Sequence, residues 1–83
     1  MAQSADSSDD PLAISFGRRL TEVREMQGLN SVELGDRAGM KKAYVWRVEQ
    51  GQTLPSLRTA ARFAKALDIS LSELLEGVEL PQG

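Results

Sequence analysis

The residues best equipped for chemistry lie between positions 41 and 50. Lys41 and Lys42 stand side by side, Arg47 follows about one helical turn later, and Trp46 precedes it directly. Two ammonium groups and a guanidinium suit an anion such as a phosphate, or neutral acceptors such as O6 and N7 of guanine. Other chemistries lack their parts. The 83 residues contain no histidine and no cysteine. That removes the commonest general base, the commonest metal ligand, every Ser-His or Cys-His nucleophile pair and any disulfide framework. No glycine-rich phosphate loop ending in Lys-Ser or Lys-Thr is present either. No enzyme, metal site or cofactor is expected.

The net charge of −2 hides an uneven layout. Residues 1–11 carry −3, residues 12–67 carry +5, and residues 68–83 carry −4, which sum to −2. A basic centre between acidic ends is compatible with an anionic partner, and equally with scatter on a small chain. Hydrophobic residues make up 41% and charged residues 27%, ordinary values for one small globular domain. No apolar run is long enough to span a membrane. The polar, acidic start resembles neither a signal nor a transit peptide. A cytoplasmic location is expected.

Helical elements must position these cations. Residues 1–10 read as a disordered acidic tail. Asp10-Pro11 is an N-cap followed by proline at the first helical position. Leu12, Ala13, Phe16, Leu20, Val23 and Gln27 then recur at steps of three and four, and Gly28 ends the helix. Asn30 with Glu33 forms a capping box for a short second helix that stops at Gly39. A third helix spans 41–50 with Val45 and Val48 inward, and Gly51 closes it. Ser56 or Pro55 opens a fourth, with Leu57, Ala60, Ala61, Ala64 and Leu67 inward. Ser70 and Glu73 start a fifth, Leu71 to Glu76, closed by Gly77. No segment alternates with period two, so the fold class is all-α.

Around Gly39 the pattern is demanding. Helices crossing steeply over a short turn need a left-handed residue there, a tiny residue where the axes approach, and apolar side chains from both helices. Gly39, Gly35, and Leu34, Met40, Val45 and Val48 supply these. The motif over 30–50 is a helix-turn-helix, whose second helix docks in the DNA major groove. With Val45 and Val48 inward, Lys42, Ala43, Trp46, Arg47 and Gln50 face outward. Lys41 and Lys42 at a helix start oppose its dipole by ~0.3–1 kcal/mol each. An anionic ligand would reward that placement; otherwise they are two solvated lysines.

The stretches FGRRLTEVREMQGLNSVELGDRAG, AYVWRVEQG and LPSLRTAARFAKALDISLSELL resemble the Cro/C1-type (XRE) helix-turn-helix domain of bacterial and phage transcriptional regulators. The resemblance implies a compact five-helix lambda-repressor-like DNA-binding domain over residues 11–76. It maps the base-contacting positions onto Lys42, Ala43, Trp46 and Arg47. It also implies an ion pair between Arg24, near the end of helix 1, and Glu49, ending helix 3. Arg47 could bridge guanine O6 and N7, touch a phosphate or pair with a nearby acid. Trp46 could meet sugars or thymine methyls, meet a protein partner, fold back on Lys42 as a cation–π pair, or shield the junction of helices 2 and 3. Phosphate contacts are expected from Asn30, Ser31, Lys41, Tyr44 and Gln52. Serine at 31 is too short to orient a base-reading residue, as the glutamine common there in the family does.

The resulting expectation is a sequence-specific, double-stranded DNA-binding transcriptional regulator. It would act as a homodimeric repressor at an inverted-repeat operator, encoded by a bacterium or phage and associated with the nucleoid. Helix 5 and the tail at 77–83, with Leu71, Leu74, Leu75, Val78 and Leu80, are the expected dimer contact. The alternative is an antitoxin or adaptor that uses the same fold mainly to bind protein.

Overall fold

The computed structural model describes residues 10–80. They form five helices: α1 (Pro11–Met26), α2 (Ser31–Ala38), α3 (Lys42–Glu49), α4 (Leu57–Ala66) and α5 (Leu71–Leu74). No strand occurs among the described residues. The expected disorder of the acidic tail falls on residues outside the described ones, except Asp10, which belongs to the fold. Its carboxylate accepts the Leu12 N–H at 2.9 Å and caps α1.

Each helix starts where local chemistry supplies a cap, with one exception. Asn30 and Glu33 complete the capping box of α2, with bonds of 2.8 and 2.9 Å. Ser56 caps α4 through the Thr59 N–H. Ser70 caps α5 through the Glu73 N–H. Lys41 occupies the cap position of α3 and offers no side-chain bond. The α2–α3 turn closes at Gly39, whose φ of 71° is left-handed backbone that a β-carbon disfavours. A β-carbon at Gly35 would lie 2.6 Å from the Met40 carbonyl oxygen, so the close approach of the two helices requires glycine there.

The core is one cluster drawn from all five helices. Phe16, Leu20 and Val23 come from α1, Leu34 and Ala38 from α2, Val45 and Val48 from α3. Ala60, Phe63, Ala64 and Leu67 join them from α4 and its end, and Leu74 from α5. Two expectations for α4 are corrected. Leu57 and Ala61 are exposed, and Phe63 is fully buried. At about 100° per residue, the stripe 60, 63, 64, 67 leaves Ala61 on the solvent side. Leu57 sits at the start of the helix with 68% exposure.

The fifth helix is also shorter than expected. It ends at Leu74, and turns carry the chain to Gly77. Arg19 in α1 holds this corner, donating to the carbonyls of Glu73 at 2.8 Å and Leu74 at 3.2 Å. Beyond it, the Glu79 N–H donates to Ser15 Oγ at 3.2 Å, and Val78 packs half-buried against the core. The chain through residue 79 therefore lies along α1. Gln27, after α1, donates to the Leu67 carbonyl at the end of α4.

Candidate nucleic-acid interface

Packing divides α3 into two faces. Val45 and Val48 are fully buried. Lys42, Ala43, Trp46, Arg47 and Gln50 are exposed. The first four of these line one shared surface depression. Ala43 forms its low point, because Trp46 and Arg47 stand about one turn away and alanine has no side chain beyond its β-carbon.

The acid of α3 is turned away from this face. Glu49 is 5% exposed at its side chain and accepts Arg24 Nε at 2.6 Å and Nη2 at 3.2 Å. The third arm of Arg24 donates to the Leu29 carbonyl at 2.8 Å. One guanidinium thus joins α1, the α1–α2 loop and the last turn of α3. The hydrogen bond to Glu49 raises the pKa of Arg24 above its ordinary value, against the opposing effect of burial. Arg24 and Glu49 are the pair that the resemblance implied. Their 25-residue separation carries no local signal.

A second fixture leaves no mark in the sequence pattern. A β-carbon at Gly17 would overlap the carbonyl oxygens of Val48 and Glu49. Glycine at this position lets α1 press directly on the last turn of α3. Nothing in helix periodicity marks it, since glycine contributes no apolar side chain to a stripe. Arg62 is a third: its guanidinium donates to the Ala38 carbonyl at 2.8 Å and the Gly39 carbonyl at 3.3 Å. A cation on the last carbonyls of α2 satisfies orphan acceptors and matches the helix dipole.

The start of α3 is built in the opposite way. Lys41 and Lys42 are both exposed, with no ion pair among the described residues. The first amides of α3 have no side-chain cap. Free amides, the positive dipole end and two cations point to one kind of ligand, an anion. The start of α2 is less open. Its capping box takes up the N–H groups of Asn30 and Glu33, and places the Glu33 carboxylate there. Ser31 is half-buried and Gln52 exposed. Tyr44 packs its ring partly against the core. Among the described residues, no helix is long and apolar enough to cross a membrane, and no His/Cys/Asp/Glu group could hold a metal ion.

Comparison with known proteins agrees with this architecture. The family model for a helix-turn-helix domain matches residues 15–76. The chain is 32% identical over 74 residues to the HTH-type transcriptional regulator PuuR of Escherichia coli (strain K12), covering 89% of this chain and 39% of that protein. It is 29% identical over 62 residues to the immunity repressor protein of Bacillus phage phi105, covering 75% of this chain and 43% of that one. The chain therefore spans about two-fifths of the length of these curated relatives. Among solved structures, it is similar to the restriction-modification controller protein C.AhdI of Aeromonas hydrophila. The TM-score is 0.72 at 40% identity, covering 75% of this chain and 94% of that one. With its helix-turn-helix centred on Gly39 and α3 turned outward, the chain belongs to the Cro/C1-type (XRE) family of helix-turn-helix transcriptional regulators.

Proposed function

We propose that the protein is a sequence-specific repressor that lays α3 in the DNA major groove. The observation that carries this is the cap inventory: four helices begin with Asp, Asn or Ser side-chain caps, and α3 begins with exposed lysines. Folding alone favours a capping side chain at position 41, whose backbone already has the extended N-cap conformation. An anionic groove offsets the loss. Lys42, Ala43, Trp46 and Arg47 meet base edges, and Arg47 reads a guanine. Lys41, Ser31, Tyr44, Gln52 and the Asn30 carboxamide meet phosphates.

A single short helix reads few base pairs, so specificity calls for a two-fold dimer reading half-sites ~34–36 Å apart. Leu74 is taken up by the core, which moves the expected dimer contact. The apolar groove of about 300 Å³ between the α3–α4 loop and the chain after α5 suits it better. Leu54, Leu57, Leu75 and Val78 line that groove. Binding at an inverted repeat across a promoter then blocks transcription by occupancy.

Selection from a random duplex pool at near-physiological salt tests this directly. An enriched inverted repeat is expected, and Arg47→Ala should relax one guanine position in each half-site. Absence of any enriched sequence would refute the proposal and favour a protein-binding role for the fold.

A further inference from the structure

Trp46 does not fit a face built only for phosphates. It is 49% exposed, and nothing among the described residues covers its outer part. It stands with Ala43, Lys42 and Arg47 around one depression. The floor of that depression is the Ala43 methyl and one wall is the indole. Arg47, beside it, has no ion pair or side-chain hydrogen bond among the described residues. Glu49, the acid of this helix, is buried on the other side. The depression is thus an apolar gap flanked by free cations.

Given the major-groove docking proposed above, we infer that Ala43 and Trp46 form a receptor for the C5 methyl of a pyrimidine that neighbours the guanine read by Arg47. The major groove presents one apolar group, the pyrimidine C5 methyl, and alanine and aromatic side chains are its partners. Trp46 and Arg47 are consecutive, and each lies about one turn from Ala43, so the methyl and the guanine belong to adjacent base pairs. The absence of a free acid on the face favours DNA over a basic protein surface, and the flanking cations, Lys42 and Arg47, suit the base-edge acceptors beside the methyl. Thymine carries this methyl, and 5-methylcytosine presents the same group. Trp46 is therefore a specificity-determining residue for a methylated pyrimidine–guanine step.

The test uses the duplex enriched from the random pool, resynthesised with deoxyuridine in place of single thymidines. Uracil keeps the pairing and deletes only the methyl. At one thymine per half-site, next to the guanine that Arg47→Ala relaxes, uracil should weaken binding about fourfold, the worth of one buried methyl-sized group. Replacing that thymine by 5-methylcytosine should retain more affinity than replacing it by cytosine. Trp46→Ala should erase the thymine-to-uracil difference while the guanine preference stays. Ala43→Leu, at an exposed position away from the core, should fill the gap and erase the difference in the same way. Equal binding of thymine and uracil duplexes overturns the receptor while leaving DNA reading intact. An unchanged thymine-to-uracil ratio in Trp46→Ala overturns the role of the indole. Failure of the wild type to enrich any duplex removes the docking itself.

Discussion

The two ends of α3, a helix of eight residues, are built on opposite principles. At the C-terminal end, Glu49 is held by two arms of Arg24, and its carbonyl and that of Val48 press on Gly17. At the N-terminal end there is no cap, and Lys41 and Lys42 stand free. The first end spends its polar groups on the protein and fixes the angle of the helix. The second keeps its amides and charges unspent, at some cost to the fold. A helix that must be both rigid and adhesive divides these tasks along its length.

The sharpest way to break the contrast is at Arg24. Arg24→Ala leaves the Glu49 carboxylate buried without its partner and should cost about 3–5 kcal/mol in chemical denaturation. The double change Arg24→Met with Glu49→Leu should recover most of that loss, because apolar groups of similar volume need no compensation. If the single change costs under about 1 kcal/mol, the fastening of this end is an exposed ion pair in disguise. Next in size is Gly17→Ala. Its added methyl must push α3 away from α1, with an expected loss of about 1–3 kcal/mol, read from the denaturation midpoint.

The free end should respond with the opposite sign. Lys41→Asp places a capping carboxylate on a backbone already in the N-cap conformation. Stability should rise by about 1 kcal/mol while affinity for the enriched duplex falls. A loss of stability would mean that the lysine supports the fold. The smallest effect is reserved for Lys42→Ala. With Lys42 as a base-edge contact, its loss should relax one sequence position while the slope of log affinity against log salt holds. A slope flattened by about 0.9 would move Lys42 to a phosphate.

The same division explains what was legible in the sequence. Helix starts at Asp10, Asn30 and Ser70 are local signals that residue types place alone, and at α4 they narrow the start to Ser56 or Pro55. The inward stripe of α3 was equally plain, because Val45 and Val48, three residues apart, are its two branched aliphatic residues. In α4, alanines at 60, 61, 64 and 66 blur the phase, which the packing of α4 against α2 and α5 decides, with Phe63 buried. Long-range ties left no periodic trace. Arg19, Gln27 and Arg62 each donate to a carbonyl 23 to 55 residues away, where the acceptor is backbone and any residue type would serve. Arg24 and Glu49 were found through family resemblance, not spacing.

The separation of faces on α3 also has an evolutionary consequence. Lys42, Ala43, Trp46 and Arg47 share no position with Val45, Val48 or Glu49, which hold the helix in place. Substitutions on the outer set leave the inner set untouched, so a duplicated copy of this gene can drift to a new target while its product goes on folding.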